Sequence, residues 1–555
     1  MVSSYMKKKK IFSPSELFFV LTLAIIVSIL VMLHVIVGAA KTLPNYIYLW
    51  TGHYYLDYFY YLTPIAQGIR GHWLSFQQGA IGDNVKYPHL MPYILIGQFA
   101  RLFRLTAVSG YWLSIFVTSF LLVILFYFAI KKILYGESFI TKIAALLLTL
   151  FSGSFFTVQI VGKTIQISNY EFWYSIGNFF RRFEPVPHHI LSFIFTLFIV
   201  LVCGEFVNKV GGYKFKDVVK KSLVMSTLFV GLLSFNSYSI VVPFIAMGVT
   251  VSIYLLKTLL RRERTFFYLL FFLGFVTAAV GFSAFLLKTY YNGTSFMAGF
   301  KNVEIYLHQS PGLKLVFLNT GPIIILSLLG IRKFIKKIEG IKITLLVFLL
   351  SSYILYFSPL DKILGTHNGR FLSTVNYLFF GVIGALGLLQ ISEFFKKHSK
   401  SVMIIFLMIF LLYSTPPAVK SFSELIEDRN IFSPITYLPV GIVKGFKKLD
   451  RLPKKGNVLV TPSQFLGTVL PVYSDRKVYV ARQIVTPDYI EKNIKTSNFY
   501  IGAMTNDQAL NLLKKNGIAY VVLTSIEGYD SAPLYHYPFL KEVYKNESII
   551  IFQVV

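Results

Sequence analysis

One carboxylate, Asp57, stands in the middle of HYYLDYFYYLTPIAQGIRGHW, a tyrosine-rich stretch that covers 53–73. The stretch follows the first long apolar run of the chain, so we expect it at a boundary between lipid and water. A carboxylate in such a place could act as the general base for a hydroxyl group. The other interpretation is a solvated aspartate in an interfacial belt, because tyrosine is enriched at both membrane faces. The residues alone leave both interpretations open.

Four connections between apolar runs carry further acids, bases and cations. These groups are His53, His72, Asp83, Lys86 and His89 in the first connection; Lys163, Glu171, Arg181, Arg182, Glu184, His188 and His189 in the second; Lys301, Glu304 and His308 in the third; and Asp361, Lys362, His367 and Arg370 in the fourth. Arg370 could hold a phosphate through two parallel hydrogen bonds, or it could snorkel to the membrane boundary. Arg182 suits either a phosphate contact or an ordinary basic loop. Together the four connections would suit an anionic lipid substrate.

The composition indicates which solvent surrounds these groups. Of 555 residues, 55% are hydrophobic and 14% are charged, and the mean hydropathy is +0.62. Soluble domains carry roughly 25% charged residues, so most of this chain must be solvated by lipid. A net charge of +29 would suit nucleic acid in a soluble protein, but here the basic residues form short runs between apolar segments. We therefore expect a polytopic membrane protein without a nucleic-acid partner. Its single cysteine, Cys203, excludes an intrachain disulfide.

The apolar runs predict about eleven membrane-spanning helices. They cover roughly 17–40, 106–130, 139–161, 187–207, 222–235, 239–260, 265–288, 312–331, 341–358, 371–391 and 401–415. Basic runs such as 209–221 and 332–337 fall on one side if these spans alternate, and the positive-inside rule assigns that side to the cytoplasm. The basic start, Met6 to Lys10, lies there too, and the C-terminal region lies outside. We therefore predict a multi-pass protein of the cytoplasmic membrane.

Residues 41–105 form one long external connection in this topology. The segment 88–104 has basic residues on one face and apolar residues on the other, so we predict a helix that lies in the interface rather than a span. Thr63 and Pro64 suit the start of another helix, which leaves Asp57 on the preceding turn. One packed face of that helix is predicted by the spacing of Tyr58, Leu62, Ile65 and Ile69.

Short apolar strands alternate with helical stretches from about Phe432 onward. The predicted strands are 458–460, 478–480, 520–523 and 549–555, and the predicted helices are 488–495 and 506–516, the second followed by Gly517 as its cap. This alternation predicts a small α/β domain with a lid or acceptor-docking role, since no phosphate loop or metal-ligand spacing occurs in it. The expected fold is mainly α, with a membrane helix bundle and catalytic external loop in 1–430 and the small α/β domain in 431–555.

These features together resemble glycosyltransferase superfamily C (GT-C), the membrane transferases that use polyprenyl-phosphate sugars. The resemblance is carried by LDYFYYLTPIAQGIRGHWL, FARLFRLTAVSGYWL and FEPVPHHILSF, by the RFL helix start at 370–372, and by a C-terminal region that includes GTVLPVYSDRKVYVARQIV. It runs over most of the chain and points to uncharacterised prokaryotic members. The chain differs from many members in that Asp57 has no acidic neighbour in the first loop.

The resemblance implies transfer of a sugar from a polyprenyl-phosphate carrier to a hydroxyl of a glycan, lipid or protein acceptor on the outer face of the membrane. It assigns Asp57 as the general base and Arg370 to the lipid phosphate. Further substrate-binding groups are Lys86, Arg182, His367, Tyr58, Tyr61 and Trp73, the aromatic ones as sugar-stacking or lipid-groove residues. Hexosyl and pentosyl transfer are both compatible, and a divalent metal ion is the one cofactor that the resemblance leaves open.

A transporter or flippase for a lipid-linked or anionic solute is the alternative from another class. Such proteins place ionisable residues within their spans near the midplane, whereas the charges here lie in the connections. A non-catalytic assembly or anchoring protein is a third possibility. Replacement of Asp57 by Asn separates these alternatives, because only the transferase would lose its activity.

Overall fold

A computed structural model of the chain describes residues 13–79, 81, 86–172, 174–291, 304, 306–336, 338–427, 433–526 and 528–555. The basic start Met6 to Lys10, Asp83 and Lys301 lie outside these residues. The chain forms two compact units. The first unit comprises Met1–Met32, Ile115–Ser283 and His308–Ser423, and the second comprises Leu33–Ser114, Ala284–Leu307 and Glu424–Val555. The domain boundary at 430/431 stays a prediction.

Helices make up most of the described chain. In chain order they are α1 (Pro14–Ala40), α2 (Tyr55–Ile69), α3 (Met91–Leu102), α4 (Ala107–Ile133), α5 (Phe139–Phe151), α6 (Phe179–Arg182), α7 (Pro187–Lys209), α8 (Phe215–Phe235), α9 (Val241–Leu260), α10 (Thr265–Tyr291), α11 (Leu313–Thr320), α12 (Ile323–Ile335), α13 (Ile341–Tyr356), α14 (Leu360–Leu364), α15 (Val375–Glu393), α16 (Ser399–Tyr413), α17 (Thr415–Glu427), α18 (Val440–Asp450), α19 (Ser463–Tyr473), α20 (Tyr489–Tyr500), α21 (Asn506–Lys515) and α22 (Ala532–Tyr535). The strands are β1 (Tyr46–Tyr48), β2 (Ser75–Phe76), β3 (Lys86–Tyr87), β4 (Phe156–Val161), β5 (Thr164–Asn169), β6 (Tyr437–Pro439), β7 (Asn457–Val460), β8 (Ile518–Thr524), β9 (Leu540–Asn546) and β10 (Ile549–Val554).

The apolar helices match the predicted membrane spans. Among the residues that the structure describes, eight helices are long and apolar enough to cross a membrane, and the bent pair α11–α12 gives a ninth. The eight are α1, α4, α7, α8, α9, α10, α15 and α16 with its continuation α17. Two shorter apolar helices, α5 and α13, account for the remaining two predicted runs. The prediction of a mainly helical, polytopic membrane protein is therefore confirmed, whereas the direction in which the chain crosses the membrane stays a prediction.

Two predicted boundaries are wrong. The run 139–161, predicted as one span, is helical only to Phe151 and continues as the hairpin β4–β5. Small and polar residues at 152–154 interrupt the helix, and the β-branched residues that follow favour a strand. The helix predicted to start at Thr63–Pro64 starts instead at Tyr55 and carries Pro64 in its interior. Asp57 is thus a residue of this helix and does not precede it.

The segment 88–104 forms a 3₁₀ turn over Pro88–Leu90 and then the helix α3 of 12 residues. At ~1.5 Å per residue this helix is ~18 Å long, shorter than the ~30 Å of hydrocarbon in a bilayer. Its length therefore excludes a membrane span. The predicted location of α3 in the interface stays a prediction.

Helix α15 forms the core of the first unit, and every residue from Val375 to Leu388 is buried. Glycines allow neighbouring backbones to approach it closely. A Cβ on Gly381 would lie 2.7 Å from the carbonyl oxygen of Ala145 in α5, and one on Gly387 would lie 2.1 Å from that of Leu326 in α12. Small residues at such contacts are typical of helix packing in membranes. The packing holds the 3₁₀ turn Asn368–Phe371, which leads into α15.

Helix α2 packs against α3 in the second unit, and two glycines make the contact possible. A Cβ on Gly68 would lie 2.5 Å from the carbonyl oxygen of Ile94, and one on Gly97 would lie 2.2 Å from that of Ile65. The predicted buried face of α2 is confirmed, because three of its four members are completely buried: Tyr58, Leu62 and Ile65. This packing holds the first turn of α2 in place.

The C-terminal region of the second unit folds around a four-stranded sheet with the order β7-β8-β10-β9. Strands β7 and β8 are parallel, and the other neighbours are antiparallel. The predicted helices are present as α20 and α21, with Gly517 at φ +56° just beyond α21. The predicted strand 478–480 is wrong, since only Val478 forms an isolated bridge, to Val458. The sequence analysis missed β9 because that strand is largely exposed and charged.

Candidate active site

Asp57 lies in the first turn of α2, at the positive end of the helix dipole. Its backbone N–H donates to the carbonyl of Tyr54 at 3.1 Å, which closes this turn. The side chain is 33% exposed, so the carboxylate has a fixed backbone and an accessible edge. A general base for a hydroxyl needs both properties.

The partner of Asp57 is Arg482, which the sequence analysis did not single out. The Nη1 atom of Arg482 forms an ion pair with Oδ1 of Asp57, and the arginine side chain is only 8% exposed. Its guanidinium also lies 6.0 Å from the ring centroid of Tyr60. Because an ion pair restricts the rotation of the carboxylate, Arg482 orients Asp57. The apolar sequence VYVARQIV around Arg482 is the signal that could have identified it, since a buried arginine needs a partner.

A second arginine joins α2 to the C-terminal region of the same unit. Arg70, just beyond α2, donates from Nη1 and Nη2 to the carbonyls of Pro471 and Val472 at 3.0 and 3.1 Å. Its Nη1 lies 3.7 Å from Oδ1 of Asp475. Both ends of α2 are thus attached to the segment 471–482, one through Arg70 and the other through the Asp57–Arg482 pair. The first loop and the C-terminal region therefore build the surroundings of Asp57 together.

The three predicted aromatic residues have different environments. Tyr58 is completely buried between the rings of His53, Phe59 and Tyr111, and burial raises the pKa of its hydroxyl. We therefore assign Tyr58 to the support of α2 rather than to a sugar-binding face. Tyr61 is half-buried and stacks on Tyr93 at 4.9 Å.

Trp73 is 64% exposed and is the predicted aromatic residue with the most open ring. Lys86 is exposed at the β2–β3 hairpin, and its ammonium lies 4.6 Å from the ring centroid of Phe76. His89 hydrogen-bonds through Nδ1 to the hydroxyl of Tyr291 at 2.9 Å, and burial lowers its pKa to about 4. His89 is therefore neutral at pH 7 and adds no positive charge to the second unit.

Arg370 and His367 form an aromatic and cationic cluster in the first unit. The guanidinium of Arg370 lies 5.9 Å from the ring centroid of Tyr174 and 5.5 Å from that of Tyr238. His367 is buried and lies edge-on to Tyr174 at 4.8 Å. Aromatic rings within about 6 Å of a guanidinium stabilise its charge, and a guanidinium can bind an oxyanion through two parallel hydrogen bonds. The structure thus brings two of the predicted substrate-binding residues together, Arg370 and His367.

Arg182 has a different environment. Its side chain is completely buried, and its donors contact five backbone carbonyls, those of Thr149, Leu150, Ser152, Ile176 and Gly177. Burial lowers its pKa to about 10, which still leaves it charged at neutral pH. An arginine has five N–H donors, so none remains for a lipid phosphate. We therefore assign Arg182 to the stability of the 149–182 region.

The described residues also bear on whether the chain could hold a metal ion. Within the described ranges, no three or more His, Cys, Asp or Glu side chains are grouped closely enough to hold one. The cation beside Asp57 is Arg482, and its positive charge opposes the binding of a metal ion to the same carboxylate.

Asp57 and Arg370 belong to different units, and their action on one substrate stays a prediction.

Comparison with known proteins was informative only for solved structures, since no family model and no curated protein matches the chain. The arabinofuranosyltransferase AftD from Mycobacteria aligns with a TM-score of 0.52 and 13% identity, covering 96% of this chain and 41% of its own. The oligosaccharyltransferase AglB from Archaeoglobus fulgidus, solved with an inhibitory peptide and a dolichol-phosphate, aligns with a TM-score of 0.48 and 13% identity. This alignment covers 94% of this chain and 70% of AglB. ArnT from Cupriavidus metallidurans bound to undecaprenyl phosphate aligns with a TM-score of 0.48 and 11% identity. This alignment covers 98% of this chain and 99% of ArnT. The similarity to AftD shows that this chain shares the fold of that protein.

Proposed function

We propose that this chain is a membrane glycosyltransferase that moves a sugar from a polyprenyl-phosphate carrier to the hydroxyl of an acceptor. The observation that carries the proposal is the accessible carboxylate of Asp57, held by the buried Arg482 on a chain that shares the fold of AftD. The similarity to AftD, by name an arabinofuranosyltransferase, supports sugar transfer as the reaction class. Such transfer needs one base and one site for the leaving phosphate.

Asp57 acts as the base in this proposal. One carboxylate oxygen is engaged by Arg482, and the other accepts the proton of the acceptor hydroxyl as its oxygen attacks the anomeric carbon. The bond between the anomeric carbon and the phosphate oxygen breaks, and its electron pair leaves with the polyprenyl phosphate. Arg482 keeps the carboxylate oriented but does not touch the sugar, so it is a positioning residue.

Arg370 binds the phosphate of the carrier. Its guanidinium lies within 6 Å of two tyrosine ring centroids, with the buried His367 beside one of the rings, and cationic groups stabilise the negative charge that develops on the leaving group. Trp73 and Tyr61 provide aromatic surface for the sugar or the lipid, and exposed Lys86 is a further cation for phosphate. The acceptor is a glycan, lipid or protein, and the transferred sugar a hexose or pentose.

The direct test measures transfer in proteoliposomes with two labelled donors, a polyprenyl-phosphate hexose and a polyprenyl-phosphate pentose. We expect Asp57→Asn to remove transfer. The matched control is Asp475→Asn, because Asp475 is also a partly exposed carboxylate beside an arginine of the α2 end, and we expect its activity to persist. Equal transfer by Asp57→Asn and the original chain would overturn the proposal.

Transfer on the outer face requires that the Asp57 loop and the C-terminal sheet lie outside. Cysteines placed at Trp73 and Lys495, in a Cys203→Ala background, should react with a membrane-impermeant maleimide in intact cells. Protection of both positions would contradict outer-face transfer. A flippase would instead move a fluorescent lipid-linked sugar across the bilayer, and this flux would persist in Asp57→Asn.

A further inference from the structure

The hairpin β4–β5 of the first unit has one apolar and one polar face. Successive strand residues point to opposite faces, and the register places four branched apolar side chains on one face: Val158 opposite Ile167, and Ile160 opposite Ile165. The other face carries hydroxyl and amide side chains: Thr157 opposite Ser168, and Gln159 opposite Gln166. Gly162, at φ +63°, begins the two-residue turn. Two-residue hairpin turns favour glycine at a position with positive φ. The hairpin is therefore amphipathic over 157–160 and 165–168, whereas Asn169 lies on the apolar face at its base and Val161 on the polar face beside the turn.

The apolar face is open. Val158 is 55% exposed, Ile160 is 77% exposed and Ile165 is 71% exposed. An isolated two-stranded hairpin is marginally stable in water, and an apolar patch of this kind marks a surface that binds something. Among the described residues, little protein covers these side chains.

The base of the hairpin indicates what binds to this face. Phe156 lies on the same strand face as Val158 and Ile160, and its ring centroid is 5.0 Å from that of Tyr413 at the end of α16. Helix α16 is part of a candidate membrane span, and its Leu412 is 73% exposed. Through Phe156 the open face of the hairpin thus adjoins an exposed apolar helix of a candidate membrane span. Aromatic residues such as Tyr413 mark the level of the membrane interface.

We propose that the β4–β5 hairpin lies in the membrane interface, with its apolar face in the acyl chains and its polar face toward water. Its outer strand edges carry unpaired backbone groups, which the hydrocarbon centre would not tolerate, so the hairpin stays at the level of the headgroups. The exposed Lys163 at the turn is placed to contact lipid phosphates. This inference concerns the lipid surface and does not depend on the proposed sugar transfer.

The test places single cysteines at alternating positions in the full-length Cys203→Ala chain, labels them with the fluorophore NBD, and reconstitutes the protein in phosphatidylcholine vesicles. We expect blue-shifted emission and quenching by doxyl-labelled lipids at Val158, Ile160 and Ile165. The matched positions Gln159 and Gln166, on the polar face of the same strands, should show water-like emission and quenching by iodide. Label at Leu412 serves as the lipid reference.

Water-like emission at all five hairpin positions, with Leu412 still quenched by doxyl lipids, would overturn the inference. The alternative is that a second copy of the chain, rather than lipid, binds the apolar face of the hairpin. It would produce disulfide crosslinks between Ile160→Cys chains in dilute vesicles, together with emission that doxyl lipids do not quench. If one of the apolar-face variants does not elute as a single species in detergent, Ile167→Cys takes its place. Ile167 lies on the same face of the hairpin.

Discussion

The pair Asp57–Arg482 allows a test that separates a catalytic carboxylate from a merely structural one. The perturbation is a double-mutant cycle made of Asp57→Asn, Arg482→Gln and the double variant. Asp57→Asn keeps the size of the side chain, Arg482→Gln shortens it, and both substitutions remove the charge. A structural pair and a catalytic base make different predictions for the double variant, in stability and in sugar transfer.

The magnitudes follow from the burial of the two partners. Breaking a buried pair by removing one partner costs about 3–5 kcal/mol, and an exposed pair is worth about 0–1 kcal/mol. Because Arg482 is 8% exposed and Asp57 is 33% exposed, Asp57→Asn leaves a buried unpaired charge and should cost about 2–3 kcal/mol. Arg482→Gln leaves a carboxylate that water can reach, so it should cost about 1 kcal/mol. The double variant should be more stable than the sum of the two losses by about 1–2 kcal/mol.

The assays are the thermal unfolding of the purified protein in detergent and sugar transfer in proteoliposomes. We expect the double variant to lose clearly less stability than the two single losses add up to, but to regain none of the transfer, which should stay about 10²–10⁴-fold reduced. Arg482→Gln alone should lower the turnover number about 10–100-fold, because it misplaces the base. Recovery of transfer in the double variant would refute the reasoning, since it would show that the carboxylate only neutralises Arg482.

Three further predictions concern other parts of the chain. Arg370→Gln should lower transfer about 100-fold by removing a cation from the leaving phosphate, whereas Arg370→Lys should restore part of it; equal activities of the two variants would contradict the role. Burial lowers the pKa of His89 from 6.5 to about 4, so in this window the unfolded chain binds a proton that the folded chain does not. The melting temperature should therefore fall as the pH is lowered from 6.5 to 4, and fall less in His89→Gln. Gly68→Ala should destabilise the protein, because its Cβ would lie 2.5 Å from the carbonyl oxygen of Ile94, whereas Gly274→Ala in open space should not; equal melting temperatures would show that α2 and α3 can separate without cost.

The membrane part of the fold could be predicted from the sequence because apolar length is a strong physical signal. The prediction of spans was wrong at 139–161, where Phe156, Val158 and Ile160 have the hydropathy of a span but the alternation of a strand. Hydropathy windows average over that alternation, so they cannot separate the two. The helix start predicted at Thr63–Pro64 failed because α2 begins at Tyr55 and carries Pro64 in its interior, so tertiary context outweighs the local preference of proline.

The candidate site was predictable only in part. Asp57 and Arg370 stand out because charge is rare in apolar surroundings, and this signal is present in the sequence itself. The partner Arg482 follows Asp57 by 425 residues, and no local pattern connects the two. For Arg182 the sequence context was misleading. It suggests a surface loop, whereas the side chain is buried and donates to five backbone carbonyls.

The long separation between Asp57 and Arg482 has a consequence for biogenesis. Ribosomes add about 5–20 residues per second, so the loop that carries Asp57 emerges roughly 20–85 s before its arginine has been synthesised. During that interval α2 lacks the attachments at both of its ends, and the carboxylate has no fixed direction. A nascent or prematurely terminated chain would therefore lack an oriented Asp57 and, under the proposed function, would be inserted into the membrane without transferring sugar.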